Sequence, residues 1–146
     1  MVRPFERVYT VHDYYDGLRG GFADFGGMPH AYRSIWREDL GEWDPENRYE
    51  LSPVSSETLE LVLEDWEIWK RWEEAFYAGQ AMHDTHPALP ADAARHAELE
   101  PVVERALEVD PARRRIAMAE FRAHGGGAWP SPTSRVTHEV RWTPAA

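Results

Sequence analysis

Hydrophobic and polar residues alternate through the first third of the chain. Residues 5–15 are rich in β-branched and aromatic side chains, Asp16-Gly17 follows, and residues 21–25 resume the apolar pattern. Asp-Gly between two such runs marks a hairpin, because the tight turn needs positive φ values that these residues tolerate. Gly26-Gly27-Met28-Pro29 marks a second turn. Residues 30–37 read as a third strand, with Tyr32 and Trp36 on one face and Ala31 and Ile35 on the other. The polar, proline-containing stretch 38–47 reads as a loop carrying Trp43, and 48–51 as a short fourth strand.

The period then changes. Residues 56–78 predict a long helix: Ser55 or Ser56 caps its first amides, Glu57 and Glu60 suit its positive end, and Gly79 stands where a C-terminal cap belongs. At about 100° per residue, Ile68, Leu61, Trp72, Phe76, Trp69, Val62, Trp66, Leu59 and Leu63 fall in one apolar arc of roughly 220°. Such an arc is wider than the stripe of an ordinary surface helix, which predicts a helix deep in the fold or one that also meets a partner. Residues 91–109 predict a second helix, kinked or split at Pro101, which lacks the amide and crowds the preceding turn. Asp110-Pro111 fits either the end of that helix or the start of another. Residues 115–123 set Ala117, Ala119 and Phe121 against Glu120 and Arg122 and read as a strand. Beyond Gly125-Gly126-Gly127, residues 136–142 alternate cleanly and need a neighbour to pair with. The order strands, helices, strands predicts one α+β domain over 1–146, an antiparallel sheet of about four to six strands packed on one face by two helices.

Composition narrows the partners. With 146 residues, 42% of them hydrophobic, and seven tryptophans, the chain has enough apolar area for a core. A formal charge of -10 repels phosphate backbones, and no basic stripe appears apart from Arg113, Arg114 and Arg115, so nucleic acid is not an expected partner. Arg3, Glu6 and Arg7 interrupt the start, and no long apolar run follows, so neither a membrane span nor a leader is expected and the expected location is cytoplasmic. The absence of cysteine removes disulfides, thiolate metal sites and a cysteine nucleophile.

Four groups of residues carry candidate chemistry. The N-terminal meander holds His12, Asp24, His30 and Tyr32 among further polar residues, and a histidine near a carboxylate is the raw material of acid or base work. Alternation works against the whole set, since neighbours in a strand point to opposite faces. His83-x-x-His86 with Asp84, joined by His96 or His124, offers imidazole and carboxylate ligands, but Pro87 follows the pair and the H-E-x-x-H pattern is missing, so no metal and no cofactor are expected. Asp65 and Glu73 fall inside the apolar arc, where pairing with Lys70, Arg71 or another arginine is the ordinary expectation. Trp66, Trp69, Trp72 and Phe76 form an aromatic ridge suited to core or interface. The expected function is a non-catalytic interaction module with a protein partner or a second copy of itself, self-associating through the Trp-rich helix. The alternative is a small-ligand-binding protein or hydrolase-like enzyme with a pocket between sheet and helices, using His12 or His30 with Asp24.

Overall fold

A computed structural model describes residues 3–124 and 137–145. The chain divides into two compact units: residues up to Val54 join those from Leu107 onward, and Ser55–Ala106 form the other. Eight strands occur among the described residues, β1 Glu6–Tyr14, β2 Leu18–Phe25, β3 Met28–Ser34, β4 Trp36–Arg37, β5 Glu42–Trp43, β6 Arg48–Pro53, β7 Arg115–His124 and β8 Thr137–Pro144. The helices are α1, Ser56–Tyr77, and α2, Ala93–Leu107.

The expected open sheet is replaced by a closed barrel. Strands β1, β2, β3, β6, β7 and β8 pair in that order, all antiparallel, and the ring is shut by β1 against β8 through Glu6↔Val140, Arg7↔Glu139 and Val8↔His138. The mix of strands and helices stands, but the sheet has no open edge and its core face looks onto its own opposite wall. The physical reason is the size of the inward side chains. Tyr32, Tyr49 and Trp142 are at most 2% exposed and meet one another and Phe121 edge-on or tilted, with ring centroids 5.4 to 6.3 Å apart. Val8, Leu18, Leu51, Ala117 and Val140 complete this core. Small barrels are filled by inward side chains, so no helix is required to cover that face.

Local chemistry sets the connections. Asp16 and Gly17 take φ of 54° and 135° between β1 and β2, and Gly26 and Gly27 take 62° and 78° between β2 and β3. The Glu6 carboxylate accepts from the amides of Gly26 at 3.1 Å and Gly27 at 2.7 Å. Inside the ring the polar ends of the two buried tyrosines are satisfied by backbone: Tyr32 donates to Thr10 O at 2.9 Å and Tyr49 to Leu18 O at 2.5 Å.

The third strand stops at Ser34, not 37, and the expected 38–47 loop contains part of a small ribbon, β4 against β5, with Trp36 opposite Trp43. Asp44 fastens it. Its carboxylate, 1% exposed, accepts from Arg48 Nε at 3.0 Å and Nη2 at 2.8 Å, from the Arg48 amide at 3.0 Å and from Arg37 Nη1 at 3.3 Å. The Arg48 bonds hold the Asp44 carboxyl well below the usual carboxylate range, against the opposing effect of burial. A lowered carboxylate pKa contributes stability above the unfolded value and loses it only as pH falls through the folded one. Asp44→Asn is expected to cost about 2 kcal/mol in urea unfolding, below a fully buried pair because the Arg37 and Arg48 side chains are 32% and 34% exposed.

The helical unit follows the sequence closely. Ser55 Oγ accepts from the Thr58 amide at 3.1 Å, α1 runs to Tyr77, and Gly79 takes φ of 75° just beyond it. Helix α2 continues through Pro101 and is not split there. Ile68, Ala88 and Leu99 form its buried cluster, with Leu61 packed against them. Arg95 of α2 forks onto Glu64 of α1 at 2.6 and 2.8 Å, and Arg71 onto Asp92 at 2.9 Å. No helix among the described residues is long and apolar enough to cross a membrane. Residues 115–123 lie in a strand as expected, and the Gly125-Gly126-Gly127 segment lies outside the described residues.

Candidate functional site

One end of the barrel is built from the β2–β3 turn, the end of β6 and the start of β7. Side chains two apart on a strand share a face, so the inward set continues past the core to this end. Phe25 follows Ala23, His30 and Met28 precede Tyr32, Pro53 follows Leu51, and Arg115 precedes Ala117. These residues, with Gly26, Ala112, Arg113 and Arg114, line a groove of about 610 Å³. The groove is therefore the mouth of the barrel.

The mouth is electrically unlike the rest of the chain. Arg114 Nη1 is paired with Glu50 at 2.7 Å, but Arg113 and Arg115 make no ion pair among the described residues. The Glu6 carboxylate, which reaches the turn from β1, is committed to the Gly26 and Gly27 amides. His30, 6% exposed, has Nδ1 2.8 Å from Met28 O. A carbonyl only accepts, so Nδ1 carries the proton and Nε2 is the free lone pair of the neutral ring. Burial lowers the His30 pKa, helped by the charge of Arg115 and opposed by the Met28 carbonyl, Glu6 and Asp24. Two guanidinium forks without an ion pair among the described residues stand beside Phe25, Met28 and Pro53, a combination suited to an anion with an apolar body.

The four meander residues singled out in the sequence do not form one cluster. Only His30 lines the mouth. Asp24 pairs with Pro29 and His30 with Ala23, so Asp24 and His30 leave the sheet on opposite faces. Asp24 accepts from Tyr9 OH at 2.8 Å instead. Tyr32 is sealed inside the barrel, and His12 Nδ1 lies 2.8 Å from Thr10 Oγ1, which itself accepts from the Phe22 amide. Desolvation pushes the His12 pKa down to about 4. Its unfolded counterpart therefore binds the extra proton between about pH 4 and 6.5, and stability falls as pH drops through that window. The loss is on the order of 2–3 kcal/mol. Thermal melts at pH 7 and pH 5 are expected to differ clearly in the wild type and much less in His12→Gln, which takes up no proton.

The aromatic helix face is partly spoken for within its own unit. Trp72 stacks on Phe76 at 5.0 Å, donates Nε1–H to Thr85 Oγ1 at 2.9 Å and receives His86 edge-on at 4.6 Å, while His83 tilts against Phe76 at 4.7 Å. His83 and His86 thus serve as covers for rings. Trp66 and Trp69 stack on each other at 4.8 Å and remain partly exposed.

Among the described residues Asp65 meets neither Lys70 nor an arginine. It meets His96 Nδ1 at 2.7 Å, and His96 Nε2 meets Glu100 at 2.8 Å. Burial works against a charged His96, but the two carboxylates prevail and raise its pKa. Glu73 is 7% exposed.

No family model, curated protein or solved structure matches this chain. The mouth must be interpreted from its own residues. In the sequence the Arg113–Arg115 run stands out only as an exception in an acidic chain. The signal that would have found the site is its position just before an alternating strand, which puts Arg115 on the inward face beside the β2–β3 turn.

Proposed function

We propose that the barrel unit is a binding module for a small organic anion, a phosphate- or carboxylate-bearing molecule with an apolar body, held at the mouth. The carrying observation is the pair of guanidiniums, Arg113 and Arg115, without carboxylate partners among the described residues, on an apolar-lined groove in a chain of charge -10. Charge-assisted forks supply orientation and Phe25, Met28 and Pro53 supply contact area. Binding rather than chemistry is the reading, because among the described residues no hydroxyl, carboxylate or second histidine lines the groove beside His30.

Phenyl phosphate has both halves of that ligand. In calorimetric titration it is expected to bind more tightly than inorganic phosphate and benzyl alcohol, with affinity falling as salt rises. Equal binding of benzyl alcohol, or no saturable heat with phenyl phosphate at millimolar concentration, contradicts the reading.

A second reading, self-association, is favoured by the partly exposed Trp66–Trp69 stack on α1. Sedimentation equilibrium decides it: a monomer that stays monomeric removes that reading and leaves the mouth untouched.

A further inference from the structure

The opposite end of β2 and β3 carries groups that the mouth does not use. Arg19 is only 9% exposed, yet its bonds go to neutral acceptors: Nε to Tyr15 O at 2.7 Å, Nη2 to Asp16 O at 2.9 Å and Nη1 to Ser34 Oγ at 3.3 Å. It makes no ion pair among the described residues, the neutral Tyr49 hydroxyl also meets it, and a guanidinium with five N–H donors still has one to spare. Burying a guanidinium without a counter-charge is unfavourable. Arg19 Cζ lies 4.6 Å from the Trp43 ring centroid, and Trp43 Nε1–H is buried with no acceptor among the described residues. Buried donors in folded chains are normally satisfied, so an orphan beside a lone cation calls for an explanation. Trp36 closes edge-on against Trp43 at 5.0 Å. These groups line a cavity of about 370 Å³, together with Asp13, Arg33, Ile35 and Glu50.

We propose that this cavity is a second ligand site, for a small organic monocarboxylate whose carboxylate is taken by Arg19 and the Trp43 indole N–H and whose apolar body rests on Ile35 and Trp36. Donors without acceptors call for an acceptor, and a cation without a counter-charge calls for an anion. Asp13 and Glu50 on the same wall repel a second negative charge, and Arg33 is already held by Glu50 at 3.0 Å. Trp43 Nε1 has no exposed surface, so the carboxylate reaches it through a shift of the short β4–β5 ribbon, whose ladder is only Trp36↔Trp43 and Arg37↔Glu42.

Sodium propionate is the probe, with propionamide as its neutral counterpart and succinate as the dianion. Indole N–H spectra of the whole chain, with the Trp43 resonance assigned by its loss in Trp43→Phe, report occupancy directly, and saturation-transfer spectra of the ligand report affinity in the variants. Propionate at millimolar concentration is expected to shift the Trp43 resonance saturably, with propionamide and succinate at least about 10-fold weaker, the size of one lost charge-assisted bond. Arg19→Gln is expected to abolish the effect. If that variant does not fold, Trp43→Phe keeps an aromatic side chain at that place and removes the indole N–H, and a several-fold weaker propionate signal carries the same conclusion. An unmoved Trp43 resonance overturns the proposal. So does propionate binding that survives Trp43→Phe but is lost when Arg113 and Arg115 are replaced, because that result assigns the carboxylate to the other mouth.

Discussion

Replacing Arg113 and Arg115 together by serine is expected to weaken phenyl phosphate binding by about 100-fold or more. Each guanidinium offers the anion a charge-assisted bond worth at least about 1.5 kcal/mol, and two of them compound. Both arginines are exposed and make no ion pair among the described residues, so the melting temperature is expected to stay close to that of the wild type. Arg114→Ser supplies the internal comparison. Arg114 is occupied by Glu50 at 2.7 Å, so its loss is expected to cost binding several-fold less than the loss of either neighbour. Calorimetry on the double variant, on Arg114→Ser and on Arg113→Ser and Arg115→Ser singly separates a placed site from general attraction to positive charge, in which all three arginines count equally.

Gly21→Val is expected to prevent the barrel from folding. Propensity alone points the other way, since valine is favoured in strands and glycine weakens them. Geometry decides, because a Cβ on Gly21 sits 2.3 Å from Thr10 O and 2.8 Å from Tyr32 Oη. The first contact is with backbone and the second with a hydroxyl already bonded to that same carbonyl, so neither side gives way without breaking the β1–β2 pairing. The cost lies in the diagnostic range above about 4 kcal/mol. Circular dichroism and amide dispersion on the purified variant check it. A soluble, cooperatively melting Gly21→Val protein contradicts the register of β1, β2 and β3 described above.

What the sequence made legible is what short spacing controls. Asp16-Gly17 and Gly26-Gly27 mark their turns because only a few residues accept positive φ there, and both pairs have it. Ser55 and Gly79 bracket α1 because capping is a matter of three or four neighbouring residues. Closure was not legible. Alternation in residues 30–37 looks the same whether Tyr32 faces a helix or the opposite wall of a ring, and the contact that decides it joins Val8 to His138 across almost the whole chain. The same limit applied to charge. Asp65 was placed correctly in the buried arc, but its partner, His96, stands 31 residues away on another helix. The candidate sites suffered most, since a groove at a barrel mouth is assembled from strand ends: His30, Pro53 and Arg115 are distant in sequence and become neighbours only through the β3–β6–β7 ladder. The polar, proline-containing surroundings of Trp43 read as a loop, although its partner Trp36 stands at the end of the alternating run 30–37.

The most direct test of ligand capture at the mouth is a crystal structure of the full chain grown with phenyl phosphate. The expected result is a phosphate within hydrogen-bonding distance of Arg113 and Arg115, with the phenyl ring against Phe25, Met28 and Pro53. Density for the ligand elsewhere on the molecule, with the mouth unchanged, contradicts the proposed function.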